Sequence, residues 1–577
     1  MKKLVKFLSP ILIVLGFNLN AQEFVRVNQM GYLTESPKIA IASSLNTSNF
    51  EIKDAKSDKT VFKGTLSESK FWSQSNENLQ TIDFSDFKEE GEYYIDVNGE
   101  KSYNFEIKKE GLFHDLSVWT IKAFYLWRSS IAIDSMYASF GKYNFARDLG
   151  HPDTMVFIHS SAATEERRAE SIISSPKGWY DAGDYNKYVV NAGITLHNML
   201  LAYELFPEYY KNLSLNIPES GNELPDLLNE IKWEVDWLFT MQDPFDGGVY
   251  HKLTTKRFCG MVQPADDDLD RYVVKKSTAS TLDFVAEMAI VARVFKHIDK
   301  DLSKRALKAA EYAWEWAKKN PKILFNNPEG IRTGSYADMN VEDEWFWAAS
   351  EMFITTKQSK YYQELDFFQK FEFPNWSKVN TLGLISLRVH LNDLAECADK
   401  NMISRKFFTL VNGLYNQFKY SSGKLALKKF EWGSNGDIAE IGVIFGVAYL
   451  MENDAKFADG MLGHFNYLLG CNPTAYSFVT QFGDKYPENL HDRRMSSDNY
   501  DYPLPGYVCG GANPNQISDC GRNNYPSLAP ARCYLDEVCS YSTNEIAINW
   551  NAPMVLLTGM VNNIFEKNEK VRGYRIE

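Results

Sequence analysis

Residues 178–189 read GWYDAGDYNKYV, and the organisation of the chain follows from how this stretch is read. Two carboxylates, Asp181 and Asp184, stand three apart across an Ala-Gly pair. The small residues let the backbone turn tightly and come close to whatever fills the site. Trp179, Tyr180, Tyr185 and Tyr188 bring flat apolar faces to the acids. A sugar ring has apolar faces and hydroxyl edges, so an acid pair walled by aromatics meets the needs of glycoside cleavage. A plainer reading competes. Asp-x-x-Asp ahead of an apolar run is also a helix start, with Asp184 capping a helix that begins near Lys187 and carries Val189, Val190, Ile194 and Leu196. On this stretch alone the two readings weigh equally, and the far end of the chain decides.

Outward from it, apolar residues recur with period 3.6 from Leu112 onward. Helical runs fall near 113–130, 188–206, 223–241, 279–299, 302–319, 341–356, 380–399, 403–418, 437–452, 455–469 and 545–565. About eleven helices are expected, with almost no β signal between them. Paired helices in such number build a solenoid or a closed ring of helical hairpins. The loops 131–178, 243–278 and 471–540 are longer than connection requires, so a functional face is expected there. Before Leu112 the pattern is different. Residues 24–27 alternate, 38–41 are β-rich, and Asn98-Gly99 joins 93–97 to 103–107 as a hairpin. Short strands at this spacing predict an immunoglobulin-type β-sandwich, read here as a packing or spacer unit.

Composition narrows the partners. The 577 residues carry a net charge of −13, which argues against nucleic acid and anionic lipid. With 13 Trp and 32 Tyr, the chain suits a neutral polyhydroxylated ligand. Lys2, Lys3 and Lys6, the apolar run 7–17 and Asn20-Ala21 predict a signal peptide over residues 1–21. The mature protein is expected to be exported, periplasmic or secreted, not inserted in a membrane, and monomeric. Of seven Cys, Cys259, Cys397 and Cys471 read as buried thiols. Cys509, Cys520, Cys533 and Cys539 crowd one loop-rich segment and allow three pairings, among which sequence cannot choose.

Three further places carry possible chemistry. His491 and Arg493 lie two apart on a polar loop, able to grip hydroxyls or simply to be surface residues. Glu545 opens the last helix beside Ile546, Ala547 and Ile548. Apolar surroundings favour its neutral form, which a general acid needs; a first-turn position favours the ionised form through the dipole. Asn340, Glu342, Asp343 and Glu344 open the helix at 341, as caps or as oxygen ligands for calcium.

Together these segments resemble glycoside hydrolase family 9, chiefly endo-β-1,4-glucanases. GWYDAGDYNKYVVNAG resembles the family's paired-aspartate motif, SFVTQFGDKYPENLHDRR its histidine motif, and YLDEVCSYSTNEIAINWNA its C-terminal motif. The resemblance implies a multidomain chain: an immunoglobulin-like β-sandwich over 22–110, then an all-α (α/α)6 barrel of twelve helices over 111–570. It implies inverting hydrolysis of β-glucan, with Glu545 as general acid, Asp184 as the base on water and Asp181 holding that water. His491 would bind sugar in the catalytic centre, and Asp536 would orient or tune the acid. Arg493, Trp179, Tyr185, Tyr541 and Trp432 would contact substrate. No cofactor is required by the reaction. A structural Ca2+ is implied at Asp343 and Glu344, with carbonyls near Met339 and Asn340. The Cys-rich insert 509–539 is longer than in many members, and could block one cleft end to give exo action. Non-catalytic glycan binding is the remaining alternative.

Overall fold

The computed structural model describes residues 24–45, 47–497 and 502–566. The signal peptide expected over residues 1–21 lies outside the described residues.

The N-terminal part is a sandwich of two sheets. One runs, in spatial order, Val25–Arg26, Ile39–Ser43, Glu77–Asp83, Lys70–Trp72. The other runs Gly31–Leu33, Phe105–Lys108, Gly91–Val97, Asn49–Asp54, Thr60–Thr65. Neighbours are antiparallel except Gly31–Leu33, which lies parallel to Phe105–Lys108. Side chains alternate across each strand, so Phe50, Ile52, Ile82, Ile95, Val97, Phe105 and Ile107 fill the space between the sheets.

This unit is bolted to the helical part by Gln29, which is buried. Its Nε2 donates to the Ala475 carbonyl at 2.7 Å, and its Oε1 accepts from the N–H groups of Asp484 and Lys485, each at 2.8 Å. The Gln29 N–H donates to the Leu469 carbonyl at 2.9 Å, and Asn28 Nδ2 to Asn466 at 2.9 Å. The loop 475–485 thus borrows backbone partners from the sandwich that its own sequence does not supply.

Among the described residues of the second part, twelve helices build the ring, and three short ones, Pro207–Lys211, Arg493–Ser497 and Tyr541–Asn544, lie in its connections. The twelve are α1 (His114–Trp127), α2 (Val189–Leu205), α3 (Asp226–Met241), α4 (Thr278–Val294), α5 (Lys300–Lys319) and α6 (Glu342–Thr356). Then follow α7 (Ser359–Tyr362), α8 (Asn380–Val389), α9 (Lys400–Tyr420), α10 (Ser434–Glu452), α11 (Ala455–Leu468) and α12 (Ile548–Phe565). The six even-numbered helices pack in sequence, and α12 returns to α2, closing an inner ring; the odd-numbered ones lie outside. This is the (α/α)6 barrel. The inner helices are apolar on nearly every face, as α2 and α12 show. An outer helix such as α5 buries one stripe, Leu302, Ala306, Ala310, Ala313 and Ala317, and turns charge outward. Side chains of Ser277, Asp299, Asp399 and Asp454 cap α4, α5, α9 and α11.

Sequence periodicity finds eleven of the twelve because α7 is a single turn of four residues, too short to show a period. Three expectations need correction. Asp184 is no helix cap: α2 starts from Tyr188, which makes no side-chain capping bond. The helical part also contains strands. Ile172–Ile173, Val156–Ile158, Tyr272–Val273, Lys252–Thr254 and Lys187–Tyr188 make a small sheet whose strands of two or three residues are too short to alternate visibly. Cys397 is exposed and Cys259 half-buried, while Cys471 is buried as expected. Cys520 and Cys539 form a disulfide, and Cys509 and Cys533 are buried free thiols. Among the described residues no helix is long and apolar enough to cross a membrane.

Candidate active site

Three segments far apart in sequence meet at the mouth of the ring through their backbones. The Arg493 N–H donates to the Gly183 carbonyl at 3.1 Å, and the His491 N–H to that of Asn544 at 3.0 Å. Glu545 bridges His491, Ala547 bridges Ala182, and the Ile548 N–H donates to the Asp181 carbonyl at 2.9 Å. Gly183 makes this approach possible. A Cβ there would lie 2.1 Å from the His491 carbonyl oxygen, a backbone atom that cannot swing aside. Gly183→Ala is therefore expected to cost about 1–3 kcal/mol by overpacking. It should also lower kcat/KM by roughly 10²-fold by displacing the acids relative to one another. Thermal melts and initial rates on a soluble β-glucan check both.

The paired aspartates are buried and heavily bonded. Asp181 accepts from Asn191 Nδ2 at 2.5 Å and from the Tyr336 hydroxyl at 2.7 Å. Asp184 accepts from Asn186 Nδ2, whose amide oxygen is held in turn by Thr254 Oγ1 at 2.8 Å. Burial and the neighbouring Asp184 push the Asp181 carboxyl up to about 8, against the pull of Tyr336 and Asn191. Burial raises Asp184 as well, opposed by the Arg493 guanidinium and Asn186. Desolvation carries Glu545 well above the ordinary carboxylate range; Asp184 adds to this and Arg493 opposes it. Of the two opposite expectations for Glu545, the desolvated one holds. Behind the pair, Lys252 Nζ is bound by Asn327, Thr333 and Gly334, and burial draws it down to about 7.

Asp181, Asp184 and Glu545 line one cleft of about 650 Å³. Its aromatic lining is Tyr188, Phe258, Tyr336, Trp376, Trp432 and Trp550. Trp179 and Tyr185 are not in it. Trp179 is 1% exposed, with its ring N–H on Glu230 at 2.8 Å; Tyr185 is 2% exposed, with its hydroxyl on the Val262 carbonyl at 2.7 Å. Both anchor the aspartate loop from behind, because the turn carries the acids to one side and these rings to the other. Trp432 lines the cleft and is 42% exposed. Tyr541 stands between Trp432 and His491, ring centroids 5.5 and 5.8 Å away.

His491 donates through Nδ1–H to the Val538 carbonyl at 2.7 Å, and burial lowers its pKa. Arg493 Nη1 donates to the Gly183 carbonyl at 2.9 Å. Asp536 does not line the cleft. Its carboxylate takes the N–H groups of Glu488 and Asn489, each at 2.9 Å, and Asn544 Nδ2 at 2.9 Å. It ties the histidine loop to the residue before Glu545 and touches neither the acid nor the space before it. From the Cys-rich insert, Asn513, Asn515 and Gln516 reach the cleft. Sequence reading missed Tyr336, Trp376 and Trp550, isolated aromatics in loops or at a helix start. In hindsight the Trp550 of INWNA, inside the quoted C-terminal motif, was the one visible signal.

A second acidic cluster lies at the start of α6. One carboxylate oxygen each of Asp338, Asp343 and Glu344 lies within 4.8 Å of the others, and all three residues are buried. Asp338 Oδ2, Glu344 Oε2 and both oxygens of the nearby buried Asp283 have no hydrogen-bond partner. Buried carboxylate oxygens without partners fit a cation with oxygen preference. Asp338 is the side-chain donor that sequence reading did not find.

The chain matches the model of "Glycosyl hydrolase family 9" over residues 113–558 and that of "Cellulase N-terminal ig-like domain" over residues 20–102. It is 38% identical over 557 residues to a xyloglucan-specific endo-β-1,4-glucanase of Bacteroides ovatus, covering 93% of each chain. It is 32% identical over 562 residues to Endoglucanase D of Acetivibrio thermocellus, covering 95% of this chain and 85% of that one. The solved structure titled "Bacteroides ovatus GH9" superimposes with a TM-score of 0.87 at 36% identity, over 94% of this chain and 99% of that one. A metagenome-derived glycoside hydrolase family 9 endoglucanase gives 0.85 at 29% identity, over 93% and 98%.

Proposed function

The chain belongs to glycosyl hydrolase family 9, and from that premise we propose that it is an inverting endo-β-1,4-glucanase acting on xyloglucan-type glucan. The observation that carries this reading is the convergence of Asp181, Asp184 and Glu545 on one aromatic-lined cleft. Glu545, kept protonated by desolvation, gives its proton to the departing glycosidic oxygen. Asp184 takes a proton from water, which attacks the anomeric carbon from the opposite face. Asp181 holds that water. An inverting pair needs roughly 6.5–9.5 Å between carboxyl groups to admit it. Burial raises all three carboxyls, and Asp184 raises Asp181 and Glu545 further, which favours keeping a proton within the set. Arg493 opposes the rise of both Asp184 and Glu545. Trp432 offers a ring face to sugar from the cleft wall; Tyr541, which packs beside it, and His491, through its second ring nitrogen, are not part of that wall and extend the sugar contacts at its edge. Asp536 is a positioning residue.

A divalent cation, calcium by its oxygen donors, is proposed at Asp338, Asp343 and Glu344. It would neutralise that cluster and fix the segment that follows Tyr336. Export to the periplasm or beyond is proposed from the N-terminal leader, and action as a monomer from the self-contained cleft.

Digestion of xyloglucan, mixed-linkage glucan and cello-oligosaccharides, with product sizing and NMR of the first-formed anomer, tests the reading. Random internal cuts and an α-anomer are expected. Release from chain ends only would make the enzyme exo-acting, and a β-anomer would remove Asp184 as base.

The pH profile follows from the same groups. Activity needs Asp184 ionised and Glu545 protonated. It falls on the acid side as Asp184 gains a proton, and on the alkaline side as Glu545 loses one. Both pKa values are raised, so both limbs lie above the ordinary Asp and Glu values of about 3.9 and 4.3. Arg493 lowers both, so Arg493→Met should move both limbs of the kcat/KM profile to higher pH. Movement to lower pH would contradict the assignment.

A further inference from the structure

A second carboxyl pair lines the same cleft and has no part in the mechanism above. Asp437 and Glu440 lie three residues apart on the inner helix α10, hence on one face. Glu440 is 3% exposed. Asn198 Nδ2, from α2, fixes its Oε1 at 2.7 Å, while its Oε2 has no protein partner. Asn549 at the start of α12 also lines the cleft, is 6% exposed, and has an unpartnered Oδ1. Two buried polar side chains of the cleft lining thus hold unused hydrogen-bonding capacity, on oxygens that sit just beneath its surface. Left unmet, that capacity is costly; buried polar groups in native proteins find partners. Burial and Asp437 raise the Glu440 carboxyl to about 8, so it both donates and accepts at neutral pH. The carboxyl that acts on it is Asp437, itself raised to about 8 by burial and Glu431, rather than any of the three acids, so it stands electrically apart from them.

We propose that Glu440 and Asn549, with Asp437 beside them, form a polar sugar-binding subsite in the cleft that takes hydroxyl groups of the bound glucan. A neutral carboxyl and an amide match a neutral hydroxyl, whereas an ion would find no counter-charge there. The hydroxyls could belong to a glucosyl unit of the main chain or to a sugar branched from it, and the chemistry is the same. This inference rests on the glucanase reading, and the test separates the two.

Binding is measured by calorimetry in a Glu545→Gln background, with cellohexaose as the unbranched ligand and a xyloglucan oligosaccharide as the branched one. Glu440→Ala should weaken binding about tenfold or more, the scale of one buried hydrogen bond to a well-placed group. Glu440→Gln, which still donates and accepts, should retain most of it. Weakening for both ligands assigns the subsite to the main chain, and weakening for the branched ligand alone assigns it to the branch. Unchanged affinity for both, with or without a lower melting temperature, overturns the proposal. If Glu440→Ala fails to fold, Asn549→Ala carries the same comparison and the same outcomes. Failure of the unsubstituted protein to cleave any β-1,4-glucan would sink the glucanase reading instead, whatever Glu440 does.

Discussion

Glu545→Gln lowers turnover of a β-glucan by about 10³-fold, within the range that a positioned general acid supplies. The glycosidic oxygen of a polysaccharide is a poor leaving group and needs a proton as the bond breaks. Glutamine keeps the size and one acceptor but has no proton to give. The fold survives, because the backbone of residue 545 is what joins the segments: its carbonyl accepts from the Gly510 N–H at 2.7 Å, and it bridges His491. An aryl glycoside whose phenol departs without help should lose far less. That difference between substrates is the decisive readout. Equal loss on both, or near-normal turnover of polysaccharide, would remove Glu545 from the role.

Asp184→Asn is expected to cost about 10³-fold on both kinds of substrate, since water must be activated whichever group departs. The contrast with Glu545→Gln identifies which carboxyl is acid and which is base without any assumption about the stereochemistry. Asp181→Asn should cost less, about 10²-fold. Asp181 is already held by Asn191 and Tyr336, and its carboxyl is pushed up to about 8, so an amide alters its charge little. A larger loss for Asp181→Asn than for Asp184→Asn would reverse the two roles.

Much of this was legible in the sequence, for physical reasons that can be named. Inner helices such as α12 are apolar all round, and outer ones such as α5 carry one apolar stripe, so both announce themselves by composition or period. The acids were visible because each sits beside small or aromatic residues in a short window. What could not be read was which way a side chain faces in an irregular turn. Trp179 and Tyr185 belong to the right loop and the wrong side of it. Tyr336 and Trp376 face the cleft from loop windows with no period to read, and Trp550 from the first turn of α12. Asp338 joins its cluster from a loop whose course is set by tertiary contacts. Glu440 was hidden differently: a carboxyl in a largely apolar helix reads as a buried oddity until the ring closes around it.

The clasp made by Gln29 has a consequence for anyone who would shorten this enzyme. Its amide terminates hydrogen bonds of the chain between 475 and 485, a few residues ahead of His491. Cut at residue 110, the barrel would keep every acid yet lose the splint that holds the approach to them. A truncated barrel should therefore melt earlier and turn over more slowly, although no group that touches sugar has been deleted. The sandwich is less a passenger than the missing edge of the catalytic half, and the two are best regarded as one inheritable unit.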